Sequence, residues 1–189
     1  MISTTNLLVP TWLQMLRALA SWLDKAASGR PAHEADALLS ARLASDMYPL
    51  ATQIRFACVQ PREAVARLRG EPFPPIIQTL LDEGRNAGER PGTMAEARTR
   101  IAATIDMLTA LAPDALDGDP ARAIEHPLPM GIVFDFTAEV YARDWALPQF
   151  WFHLMTAYSI LRAQGVELGK ADFVSHLFAH VRPGTMPGG

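Results

Sequence analysis

The segment between Pro148 and Gly165 constrains the fold more than any other part of the chain. Proline at the start of a helix and glycine just past its end form the expected asymmetry. Roughly 17 residues of helix span about 25 Å. Trp151, Leu154, Met155, Tyr158 and Leu161 make one apolar row, and Gln149, His153, Thr156 and Ile160 a second, partly polar one. Both rows are mostly uncharged, so water suits neither side. Such a helix needs other helices around it.

Three more stripes supply them. The first helix is expected from Thr11, a capping residue, to Ala27, with Gly29 to stop it and Trp12, Leu16, Leu19 and Leu23 on its buried face. Arg30–Pro49 reads as a connector with a helical turn at Glu34–Leu39. The second helix is expected over Met47–Leu68, burying Leu50, Ile54, Ala57, Val65 and Leu68. Pro61 inside it predicts a kink or break near Ala57–Gln60, because proline lacks a donor and crowds the carbonyl four residues back. Gly70–Gly92 is dense in proline and glycine and reads as a long loop with one helical turn at Ile76–Leu81. Thr93 to Glu96 has capping-box spacing and opens a third helix that runs to about Leu111, before Pro113. Ala123–His126 and Gly131–Phe134 flank a Pro-Leu-Pro turn and suit a small hairpin, and Thr137 can cap a short helix over Ala138–Asp144. The fold predicted is an all-α four-helix bundle with a small β-hairpin before the last helix. Residues 1–181 form one helical domain in this reading, and 182–189 a flexible tail.

Composition narrows the function classes. The 189 residues are 49% apolar and 20% charged, which excludes a disordered chain. A net charge of −3 and no basic block argue against nucleic acid as a partner. No apolar run approaches the ~20 residues that cross a bilayer, and the start of the chain lacks a basic, then apolar, secretory pattern. The expectation is a cytoplasmic protein without a membrane partner, its one cysteine, Cys58, reduced.

His153 is the leading chemical candidate. It stands mid-helix among aromatic residues, with Gln149 one turn earlier on the same face. Bundle cores hold metals through side chains converging from facing helices, and imidazole is the commonest transition-metal ligand. Asp46 and Gln53 at the start of the second helix, Asp106 on the third and Tyr158 on the fourth complete the candidate pocket. A buried histidine satisfied by Gln149, Asp46 or a carbonyl is the other reading of the same residues. His176 and His180 share metal-pair spacing but lack the glutamate of a zinc-protease motif, and they suit an amphipathic C-terminal helix. His33 and His126 fall in connectors and read as surface residues. Cys58 reads as packing, with Arg55 and Arg62 the only groups placed to lower its pKa.

Ala146-Leu-Pro-Gln-Phe-Trp-Phe-His153, Thr156 to Arg162 and Gly165 to Lys170 resemble a bacterial domain-of-unknown-function family of about this length. Pro10 to Leu16 and Ala41 to Leu50 match it too, so the likeness runs from about Leu8 to Phe173. That family is in turn similar to the DinB/YfiT-like four-helix bundles, which include metal-dependent transferases and isomerases that use low-molecular-weight thiols. The resemblance implies a metal site of three histidines, one on the second helix and two in a His-x-x-x-His on the fourth. Aligned on Leu161-Arg162 and Gly165, His153 falls at the last of these, Gln149 at the one before and Gln53 near the second-helix position. The chain therefore departs from the pattern at two of three positions.

Two functions follow as expectations. In the first, His153, Gln149 and Gln53 form a degenerate metal or small-ligand site, with Zn or Ni as the divalent metal and transferase-type chemistry. In the second, the site has decayed and the protein is a non-enzymatic homodimer or interaction module, its four Trp and eight Phe building a face for a partner.

Overall fold

The computed structural model describes residues 2–185. Four long helices make the frame: α1 (Thr4–Ala27), α3 (Leu50–Arg69), α5 (Met94–Thr109) and α7 (Leu147–Ala163). Between them lie α2 (Ala32–Ala37), α4 (Pro75–Asn86), a hairpin of β1 (Ala123–Pro127) and β2 (Val133–Thr137), and α6 (Ala138–Val140), while α8 (Lys170–Phe173) follows α7. α1 packs on α5 and α7, and α3 packs on the same two. Hence α1 and α3 occupy opposite corners, and the long connectors carry the chain across the bundle. Trp12, Leu16, Leu19, Trp22 and Leu23 from α1 meet Ile54 and Ala57 from α3 and Phe150, Leu154 and Leu161 from α7 in one core. No described helix is long and apolar enough to cross a membrane.

Several boundaries differ from the sequence expectation. α1 starts seven residues earlier than Thr11, at Thr4, where the Ser3 side chain accepts from the Asn6 amide. Pro10 lies inside it, and the Thr11 hydroxyl, expected to cap, instead donates to the Leu7 carbonyl at 2.7 Å. α3 begins at Leu50 after Pro49 and runs unbroken through Pro61 to Gly70, which takes φ 68° and closes the helix. Pro61 is itself buried in α3, which packs on both α4 and α7.

The largest correction is α4. Gly70–Gly92 is not mainly loop, because Pro75 sits in the first turn and the helix runs twelve residues. Ile77 and Leu80 face inward, and Gly84 presses against α3. A Cβ on Gly84 would lie 2.4 Å from Phe56 Cε1, so only glycine permits this approach. The Gly84 carbonyl accepts from the buried Thr52 hydroxyl at 2.7 Å.

The capping box at Thr93 and Glu96 forms as the spacing predicts. β2 starts two residues later than expected, pairing Ile124 with Phe136 and His126 with Phe134. The short helix after Thr137 does not stop at Asp144. α6 passes through a π-helical segment, Tyr141–Ala146, straight into α7. Pro148 cannot donate to the preceding turn, and a wider turn just before it accommodates that lost bond. At the other end α8 closes over α1: Trp22 stacks on Phe173 at 5.7 Å and its Nε1 donates to the Asp172 carbonyl at 3.3 Å. Of the expected tail, residues 186–189 lie outside the described residues, while Thr185 and Arg182 close a turn.

Candidate functional site

The antiparallel contact of α3 and α7 brings Gln53 and His153 together. Gln53 sits one turn into α3, and its Nε2 donates to the Tyr48 carbonyl at 3.3 Å. That bond orients the amide, so Oε1 points at His153 Nδ1, 2.9 Å away. An amide oxygen only accepts, so Nδ1 carries the proton and donates. His153 Nε2 is left with its lone pair and has no hydrogen-bond partner among the described residues. Phe56 and Phe152 stand edge-on to the ring at 5.2 and 5.3 Å. His153 is 9% exposed. Burial without a nearby anion pushes its pKa down to about 4, so the ring is neutral at pH 7.

The other predicted pocket residues make no hydrogen bond to this pair among the described residues. Gln149 is half-buried one turn earlier on α7 and makes no hydrogen bond among the described residues. Asp46 is exposed in the turn before α3, and Asp106 is exposed on α5, at the corner of the bundle opposite α7. Tyr158 faces α1, edge-on to Trp22 at 5.3 Å and to Phe173 at 5.8 Å.

The donor set does not fit a three-histidine zinc or nickel centre. Gln53, expected near the second-helix position, turns its oxygen to Nδ1, as an orienting partner of the imidazole rather than a co-ligand. No group of three His, Cys, Asp or Glu side chains suited to a metal occurs among the described residues. His176 and His180 lie in a 3-10 segment, Ser175–His180, not in an α-helix. At three residues per turn, positions four apart no longer share a face.

One buried residue was misread and one half-buried residue missed. His126 is not a surface residue: it is 4% exposed, with Trp145 at 4.4 Å and Tyr141 at 5.7 Å, and burial pushes its pKa down to about 4. The hairpin folds onto the π-helical segment and carries it inward. Glu63 on α3 is pushed up to about 7 by burial, against the opposing influence of Arg67. Cys58 is buried, and burial raises its pKa to about 11 despite Arg62 and Arg55. The sequence signal for His126 was its alternation with Ile124, whose inward side it shares.

A polar groove of about 670 Å³ opens elsewhere, between α3, α4 and α5. Its floor holds Arg55, 3% exposed, beside Glu83 and Arg100. Arg100 grips Glu83 through two nitrogens, and Arg55 Nε lies 3.5 Å from the same carboxylate.

Comparison with known proteins agrees with this architecture. No curated protein matches the chain. A crystal structure of a DinB family member protein from Shewanella denitrificans superposes with a TM-score of 0.71 at 30% identity, covering 97% of this chain and 95% of that one. The model of the domain of unknown function DUF1993 matches residues 5–174, and the chain belongs to that family.

Proposed function

We propose that this protein is a small-ligand-binding bundle whose site is built on His153 as a neutral hydrogen-bond acceptor, without the metal that the DinB-like resemblance implies. The observation that carries the reading is the Tyr48–Gln53–His153 chain of hydrogen bonds. It holds the imidazole in one tautomer and leaves Nε2 free to accept from a ligand N–H or O–H. Exposed Phe152, beside the ring, and exposed Tyr48, edge-on to Phe56 at 6.0 Å, supply apolar contact for the rest of a ligand. Binding is favoured over base catalysis on magnitude. A general base works best with a pKa near the working pH, and a ring held at about 4 has lost most of its basicity.

The test compares wild type with His153→Ala and His153→Gln. Untagged protein purified without chelator should hold no stoichiometric metal by elemental mass spectrometry. A thermal-shift screen of small metabolites should find ligands that stabilise wild type and not the two variants. Near-stoichiometric zinc or nickel that disappears in the variants would overturn the metal-free reading. Equal ligand stabilisation in all three proteins would move the site away from His153.

A second reading rests on the same face. Phe152 is 58% exposed, and Tyr48 and Met155 are exposed with it. These residues suit a contact between two copies, with His153 pinning the seam beneath. Sedimentation of wild type against Phe152→Ser separates the readings, since only a dimer through this face is dissociated by the substitution.

A further inference from the structure

The groove between α3, α4 and α5 carries an under-satisfied buried cation. Arg55 has five N–H donors. One hydrogen bond is made among the described residues, from Nη1 to the Ala51 carbonyl at 3.3 Å. Its Nε faces Glu83 at 3.5 Å without a hydrogen bond. Its Nη2 has no such partner and lies against Gly92 on the groove wall. A Cβ on Gly92 would stand 2.8 Å from Nη2 and 2.6 Å from Glu96 Oε2, so the missing side chain leaves this edge of the guanidinium open beside the Glu96 carboxylate.

The carboxylates nearby are already engaged. Glu83 serves both Arg55 and Arg100, two cations on one anion. Glu96 accepts from the Thr93 amide and hydroxyl at the start of α5. Asp82 pairs with Arg85 and accepts from Gln78. Arg90, exposed on the rim, has no ion-pair partner among the described residues. With Nε buried and unpaired and the Nη2 edge open to the groove, an anion or other acceptor there would complete the partners of the guanidinium.

We infer that this groove binds small solutes through a carboxylate or phosphate group, anchored by Arg55 Nη2 and joined by Arg90 at the rim. The volume suits a small metabolite. Guanidinium groups match both oxyanions, so the shared chemistry is a compact oxyanion on a polar body. The site is separate from His153 and does not depend on that reading.

The test is an NMR titration of the full chain with inorganic phosphate and, separately, succinate, at constant ionic strength with chloride as control. The expected result is a saturable shift of the Gly92, Glu96 and Thr99 amides and of the Arg55 Nε–H signal. Response to phosphate alone assigns a phosphate-bearing solute, response to succinate alone an organic acid, and response to both the oxyanion as such. Arg90→Ala, on the exposed rim, should weaken binding about tenfold, the scale of one charge-assisted bond. Arg55→Lys should weaken it at least as much, because an ammonium lacks the planar fork. His153→Ala should leave it unchanged. No saturable shift beyond chloride, or binding indifferent to Arg90→Ala, overturns the inference. Should Arg55→Lys fail to fold, the wild-type Arg55 signal and Arg90→Ala still decide it.

Discussion

Gln53 and Arg55 stand two residues apart on α3, about 200° around a helix, and end in opposite electrical surroundings. Gln53 faces α7 and meets a neutral imidazole. Arg55 faces α4 and α5 and meets Glu83, which Arg100 shares. Both side chains are buried. The first pair is uncharged and closes a seam at modest cost. The second keeps charge out of water and borders a groove. The contrast teaches that burial alone says little about function in this bundle. What matters is whether the buried donors and acceptors are used up by the protein itself.

The largest effect that would test the seam is its pH dependence. His153 is held at about 4 in the folded chain, against about 6.5 in an unfolded one. Between those values the unfolded chain binds the proton and the folded chain does not. The stability contribution is therefore complete above about pH 6.5 and is lost as pH falls toward 4, by roughly 3 kcal/mol at 1.36 per pKa unit. His126 acts in the same direction, and Glu63, pushed up to about 7, acts in the opposite one. Urea denaturation of wild type and His153→Phe between pH 7.5 and 4.5 isolates the His153 share. Parallel curves would show that the imidazole titrates as if exposed.

On the groove side, Glu83→Gln leaves Arg55 without its carboxylate and should cost roughly 2 kcal/mol in the same denaturation measurement. An unchanged midpoint would mean that Arg55 is satisfied from elsewhere. Phe56 joins the two regions, touching Gly84 on one side and the His153 ring on the other. Gly84→Ala forces that ring to move and should cost about 1–3 kcal/mol. It should also shift the His153 ring resonances. Lost stability without such a shift would uncouple the two faces. The smallest expected effect is at Cys58, whose raised pKa and burial should make alkylation at pH 8 no faster than unfolding. Rapid modification of native protein would contradict that burial.

Legibility followed the range of the interactions. The Thr93–Glu96 capping box and the stripe from Met94 through Ala97 and Ile101 to Leu108 are local patterns, and they fold as written. α4 was hidden because its prolines and glycines signal loop in isolation. Pro74 and Pro75 precede a helix here, and Gly84 is a packing contact rather than a stop. At the candidate site, the resemblance-based alignment put Gln53 and His153 at matching positions on two helices, and they meet at hydrogen-bond distance. Asp46, Asp106 and Tyr158 were grouped with them too, but Asp46 is exposed in the turn before α3, Asp106 is exposed on α5 and Tyr158 faces α1.

What the sequence determined by itself was the all-α class, the four long helices with their apolar faces, the hairpin before the last helix and the resemblance to DinB-like bundles. The first three depend on periodicity, caps and turn residues, which act within a few positions of the chain, and the resemblance on matched motifs. Tertiary packing set the rest: α1 and α3 sit at opposite corners, α4 lies along α3, His126 is buried and Arg55 borders a groove. Each depends on which helix faces which, and that is set by the summed burial of residues far apart in the chain.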